Sequence, residues 1–149
     1  MEREPELLSV VAPMYEEQDT VEPFTERVAA ALEGLDYEMI LVDDGSKDGT
    51  AEAMARVAAA DHRVKVVALS RNFGHQPALT AGLEHARGDV IVMLDGDLQD
   101  PPEVIPEMLA RWREGVDVVY AVREQRLGET LFKRVTARGF YRVFRRLTG

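Results

Sequence analysis

Cysteine is absent from the 149 residues. That excludes a disulfide framework and a thiolate metal site, so any metal must be held by carboxylate, amide or imidazole groups. A reducing cytoplasm is the simplest compartment for such a chain. No run approaches the roughly 20 apolar residues that a membrane-spanning helix needs. The start, Met1-Glu2-Arg3-Glu4-Pro5-Glu6, is charged where a secretory leader needs an apolar stretch. As given, the chain is expected neither to cross a membrane nor to be exported. Glycine (11) and proline (7) are too few for a low-complexity chain. Three signatures are also missing: the Gly-x-x-x-x-Gly-Lys-Ser/Thr phosphate loop, the Gly-x-Gly-x-x-Gly dinucleotide turn and the Gly-x-Ser-x-Gly nucleophile elbow. Kinase-like ATPases, dehydrogenases and acyl-transfer hydrolases therefore lack support.

What is present is a soluble globular composition, 46% apolar and 30% charged. At this length a single domain buries roughly 68–70% of its unfolded surface, enough for one core. The net charge of −9 hides an asymmetry. Residues 123–149 hold eight Arg or Lys against two Glu, which leaves ten basic and 25 acidic residues in 1–122. An acidic body argues against nucleic-acid binding, because phosphate contacts need Lys and Arg.

Apolar runs bounded by turn residues at Leu7–Ala12, Glu38–Val42, Val64–Leu69, Val90–Leu94 and Val116–Val122 read as five buried strands. Between them, Val21–Leu32, Ala51–Ala60, Pro77–Ala86 and Pro102–Trp112 place apolar residues three to four apart and read as helices. Thr20 is expected to cap the first helix, Gly34 to close it, and Gly88 to separate the third helix from the fourth strand. Alternation of strand and helix predicts an α/β fold, a mostly parallel sheet with helices on both faces. Such sheets bind ligands beyond the carboxyl ends of their strands.

Three of those ends are unusually polar: Pro13-Met14-Tyr15-Glu16-Glu17, Asp43-Asp44-Gly45-Ser46-Lys47-Asp48-Gly49-Thr50, and Asp95-Gly96-Asp97-Leu98-Gln99-Asp100-Pro101-Pro102. An Asp-x-Asp turn can present Asp95 and Asp97 to one hard cation, Mg²⁺ or Mn²⁺, which would bridge nucleotide phosphates and neutralise a departing diphosphate. Alone, such a pair is more often an ordinary solvated turn. A calcium EF-hand loop would need Gly and Glu where this chain has Asp100 and Pro106. Asp44, just after a buried strand, is placed to accept hydrogen bonds from a base, while Asp48 or Gly49-Thr50 can start the next helix. His75 reads as a surface or helix-start histidine.

Together with Arg71-Asn72-Phe73-Gly74, these loops resemble glycosyltransferase family 2, a GT-A-fold group that uses nucleotide-diphosphate sugars. Within it the chain looks most like dolichol-phosphate mannosyltransferases and bacterial undecaprenyl-phosphate glycosyltransferases. The resemblance implies an inverting transfer of a hexose, from UDP- more than GDP-sugar, to polyprenyl phosphate. It implies that Pro13, Tyr15 and Glu16 line the nucleoside pocket, that Asp44 with Asp43 reads the base, and that Asp95, Gly96 and Asp97 meet the donor. Asp95, Asp97 and Gln99 would surround the metal. Arg123, ending the fifth strand, would join Asp97 in catalysis by meeting the acceptor phosphate. Members usually continue past this point, with an acceptor-site segment and often two transmembrane helices.

The division expected is a nucleotide-sugar-binding domain over 1–122 and a basic amphipathic segment over 123–149. In the latter Phe132, Val135, Phe140, Val143, Phe144 and Leu147 share one side of a helix, and Arg134, Arg138, Arg142 and Arg145 the other. This reads either as a helix packed on the domain or as one lying on an anionic membrane, where Lys133, Arg134 and Arg138 would guide a lipid phosphate. The expected location is then the inner face of the cytoplasmic membrane, with the apolar side also open to a second copy. Two alternatives stand beside this reading: a family 2 transferase with a carbohydrate acceptor, which needs a general-base carboxylate, and a nucleotide-sugar-binding module without turnover.

Overall fold

The computed structural model describes residues 3–122. Strand β1 (Leu8–Met14) leads to helix α1 (Val21–Ala31), β2 (Tyr37–Asp43), α2 (Thr50–Ala60), β3 (Val64–Ala68), α3 (His75–His85) and β4 (Val90–Met93). A 3₁₀ turn at Pro102–Val104 then runs into α4 (Ile105–Arg113). The sheet is parallel, ordered β3-β2-β1-β4. β1 and β2 are buried along their whole length because both have neighbours and both faces are covered; this is why they read as unbroken apolar runs.

One face carries the larger core. Leu8, Val10, Ala12 and Met14 of β1 and Met39 and Leu41 of β2 meet Val21, Phe24 and Val28 of α1, Met54 of α2, and Ile105 and Leu109 of α4. Full burial of side chains this size is worth about 1.5–3 kcal/mol each. On the opposite face Val11, Ile40 and Val42 pack against Ala78, Leu79 and Leu83 of α3. Residues up to Val119 form one compact unit.

The strand order places the topological switch between β1 and β4. The chain moves outward through β2 and β3, then returns to the other side of β1. Ligands of open α/β sheets bind at the carboxyl ends beside such a switch. β4 is short here: Met93 pairs opposite Val11, so the acidic turn begins below the end of β1. It then climbs against β1, and at Gly96 a Cβ would stand 2.4 Å from Met14 Cγ.

Of the nine expected elements, eight are found. The four strands and the first three helices lie where the pattern put them, with ends shifted by one or two residues. The fourth helix is split, because Pro102 and Pro106 each favour a fresh helical start. Val116–Val122, expected as a fifth strand, is not one. No described strand pairs with it, and Val118 is 76% exposed; an apolar run becomes a strand only where a neighbour completes the ladder. Thr20 does occupy the N-cap position of α1, but its hydroxyl donates backward to the Glu17 carbonyl and carboxylate rather than capping the helix. Among the described residues no helix is long and apolar enough to cross a membrane.

Candidate active site

Three loops meet at the carboxyl ends of β1, β2 and β3. Ser46 Oγ accepts the Glu16 N–H, Thr50 Oγ1 accepts the Glu17 N–H, and Gln18 Oε1 accepts the Gly49 N–H. The first and second loops are thereby laced together. Asp48 Oδ1 accepts both the amide and the hydroxyl of Thr50, which turns the chain into α2 and holds the Asp48 carboxyl below its ordinary range. The capping role expected of this stretch is what Asp48 and Gly49 perform.

Between the second loop and the β3–α3 loop lies a cavity of about 510 Å³, lined by Tyr15, Asp43, Gly45, Ser46, Lys47, Leu69, Ser70, Arg71 and Asn72. Tyr15 is 40% exposed at its rim. The charge of the adjoining Glu16 carboxylate keeps this phenol above its usual value. An apolar ring face with a donor at its edge suits a planar base. Asp43 accepts the Ser46 N–H through Oδ1, and a carboxylate has further lone pairs to offer the donors of a base. Lys47 and Arg71 bring positive charge to the same hollow. Arg71 lies over the Phe73 ring at 4.2 Å.

Asp44, expected to read the base, has other partners. It is buried, is absent from the cavity lining, and its two oxygens accept the Phe73 and Gly74 N–H groups. Pro13 is buried within β1 and Glu16 is exposed at φ +54°. Neither lines the cavity, although both flank Tyr15. Among the described residues only Glu16 and Leu98 combine a side chain with positive φ. Both sit in the polar loops; backbone strain of this kind clusters at functional sites.

The acidic turn follows β4. Asp97 Oδ1 accepts the Gln99 N–H at 2.9 Å, and Asp95 Oδ1 lies 3.6 Å from His75 Nε2. Both side chains of that pair are 52% exposed, so the Asp95 carboxylate is open to an incoming ion. Among the described residues no cluster of three His, Asp or Glu side chains forms a closed metal cage. The oxygen donors Asp95 and Asp97 are of the chemistry that Mg²⁺ or Mn²⁺ takes, ions that keep waters and substrate phosphates and use one or two protein carboxylates. The turn is anchored from below: Glu103 accepts both Arg27 Nε and Nη2, tying the 3₁₀ turn to α1. A second hollow of about 420 Å³ opens between α1 and α2 near Met39 and Val64, and none of its lining residues belongs to these loops.

Arg71 and Asn72, which the sequence marks only as part of the Arg71-Asn72-Phe73-Gly74 motif, stand in the cavity wall. His75 reads as a plain helix start, which it is, yet one that faces Asp95. Lys47, in a loop whose acids dominate its sequence, lines the same cavity. Arg123, Lys133, Arg134 and Arg138 lie outside the described residues.

The parallel α/β sheet, with its polar loops gathered at the carboxyl edge, is of the GT-A type found in glycosyltransferases. Residues 9–148 match the model for glycosyl transferase family 2, and the chain belongs to that family. It is 47% identical, over 95% of its length, to an uncharacterized glycosyltransferase of Synechocystis sp., of which it covers 45%. It is 41% identical, over 95% of its length, to the undecaprenyl-phosphate 4-deoxy-4-formamido-L-arabinose transferase of Klebsiella pneumoniae, of which it covers 44%. The chain thus spans less than half the length of these relatives. Among solved structures, the glucosyl-3-phosphoglycerate synthase of Mycobacterium tuberculosis in complex with Mn²⁺, UDP and glucosyl-3-phosphoglycerate superimposes with a TM-score of 0.59. That match has 29% identity and covers 73% of this chain and 40% of that one.

Proposed function

We propose that this domain binds the donor in a metal-dependent, inverting transfer of a hexose from a nucleotide-diphosphate sugar, UDP- rather than GDP-linked, to polyprenyl phosphate. The observation that carries the reading is that the cavity walled by Tyr15, Asp43 and Arg71 and the acidic turn after β4 both lie at the carboxyl edge of the sheet, joined by the loop from Arg71 to His75, whose Nε2 stands 3.6 Å from Asp95 Oδ1. The UDP and Mn²⁺ of the solved relative support the donor and the ion. The named substrate of the Klebsiella relative supports the acceptor.

In this reading Tyr15 stacks on the base and Asp43 accepts from its edge, while Lys47 and Arg71 offset phosphate charge. Pro13 and Glu16 shape the turn that carries Tyr15. Asp95 and Asp97, with the Gln99 amide, would hold Mg²⁺ or Mn²⁺, which when bound neutralises charge on the departing diphosphate. Gly96 lets that turn approach Met14 and so the donor. An acceptor phosphate oxygen attacks the anomeric carbon from the face opposite the nucleotide. The new carbon–oxygen bond forms as the bond to the diphosphate breaks, and the electron pair leaves with the diphosphate. A phosphate is already ionised near neutral pH, so no strong general base is required. Arg123 would meet that phosphate, and the basic stretch carrying Lys133, Arg134 and Arg138 would hold the domain at the membrane face where the lipid resides.

Calorimetry with UDP- and GDP-sugars, with and without Mn²⁺, paired with transfer onto a short polyprenyl phosphate, tests the proposal. Metal-dependent UDP-sugar binding is expected. Transfer to a free sugar in place of the lipid phosphate would overturn the acceptor assignment.

A further inference from the structure

Asp44 lies next to the cavity-lining Asp43, yet it is not part of the lining. Its Oδ1 accepts the Phe73 N–H at 2.8 Å and its Oδ2 accepts the Gly74 N–H at 3.0 Å, across 29 and 30 residues of chain. A single carboxylate, 3% exposed, thereby satisfies two consecutive backbone donors. Such charge-assisted bonds are about twice as strong as neutral ones, and removing the acceptor would orphan both amides.

We infer that Asp44 is a positioning residue that sets the Arg71–His75 loop, and that through this one loop the nucleoside cavity and the acidic turn are built together. On the cavity side the loop supplies Arg71 and Asn72. On the other side it ends at His75, whose Nε2 stands 3.6 Å from Asp95 Oδ1. Phe73 and Gly74, the two residues Asp44 holds, lie between them. A further contact pins the same loop: the Gly45 backbone lies against that of Arg71 and Asn72. A displacement of Phe73 and Gly74 would therefore move the cavity wall and the Asp95 neighbour in one step.

The inference rests on the reading of the cavity as the nucleoside site and of Asp95 and Asp97 as the cation's holders. Its own content is that nucleotide and cation affinity share Asp44. The chain is titrated with UDP in the absence of metal, and with Mn²⁺ at saturating UDP, for the wild type, Asp43→Asn, Asp44→Asn and His75→Ala. Asp44→Asn should weaken both ligands by about tenfold to a hundredfold, the range for removing a buried partner of a charged group. Asp43→Asn should weaken UDP alone, and His75→Ala should weaken Mn²⁺ alone.

Amide hydrogen exchange of the ligand-free wild type reads the clamp without any variant: Phe73 and Gly74 should be protected, and should exchange fast in Asp44→Asn. The inference is overturned if Asp44→Asn weakens only one ligand, or if Phe73 and Gly74 exchange in the wild type as freely as an exposed loop. Failure of the wild type to bind UDP or Mn²⁺ would instead overturn the functional reading and the ligand half of the inference, with the exchange result still deciding whether Asp44 holds the loop.

Discussion

A Cβ on Gly45 would stand 2.2 Å from the Arg71 carbonyl carbon, so the second and third loops of the site touch backbone to backbone. Gly45 also has φ +69°, a region that costs other residues about 1–2 kcal/mol. Gly45→Ala must therefore adopt a strained backbone and push Arg71 outward. The expected result is a lower melting temperature together with weaker UDP binding. Unchanged affinity in a folded Gly45→Ala protein would mean that the loops can separate without disturbing the cavity.

The Arg27–Glu103 pair makes the anchoring of the acidic turn acid-sensitive. The Arg27 guanidinium, bonded through two nitrogens, lowers the Glu103 carboxyl to about 2 from an ordinary 4.5. Because the folded value lies below the unfolded one, the stabilisation is complete above about pH 4.5 and is lost as the pH falls towards 2. Glu103 followed by carboxyl-carbon NMR should titrate near 2, and Arg27→Met should bring it back near 4.5. A wild-type midpoint already near 4.5 would show the pair open in solution.

Phe24 is fully buried between α1 and the sheet and belongs to the core that also holds Ile105 and Leu109 of α4. Phe24→Ala is expected to cost about 3–5 kcal/mol, the usual range for an aromatic deleted from a core. Denaturant unfolding measures it directly. A loss under about 1 kcal/mol would indicate that α1 is not seated as described.

How much of this was legible in the sequence depends on the range of the interaction involved. Val10-Val11-Ala12 and Ile40-Leu41-Val42 announce central strands because each residue is buried whichever way it points. The polar residues after those strands announce a site for the same reason, since nothing in the core requires them. Val116–Val122 carries the same signal but no neighbour to pair with among the described residues, and composition cannot report a missing partner. Asp43 and Asp44 are indistinguishable as letters. Their different roles come from Ser46, three residues on, and from Phe73 and Gly74, which only the folded chain brings beneath Asp44. His75 was unreadable for a similar reason: its neighbour Asp95 arrives through the strand order. Thr20 illustrates local competition, a hydroxyl with two acceptors on Glu17 closer than the helix end.

Residues 123–149 hold eight basic and two acidic residues, and each basic group near an anionic bilayer is worth about 1 kcal/mol. The chain should pellet with phosphatidylserine-containing vesicles at low salt and be released as the Debye length shrinks. Failure to pellet at every salt concentration would remove the membrane-facing role proposed for Lys133, Arg134 and Arg138.

The proposed function turns on Asp95 and Asp97 bringing a divalent ion to the bound nucleotide. Asp97 is half-buried and its carboxylate accepts the Gln99 N–H two residues on, so Asp97→Ala should leave the fold intact. Calorimetric titration of UDP with and without Mn²⁺ into the wild type and Asp97→Ala is the direct measurement. Mn²⁺ should tighten UDP binding at least tenfold in the wild type, about 1.4 kcal/mol, and have no effect in the variant. An equal Mn²⁺ enhancement in the two proteins would contradict that role.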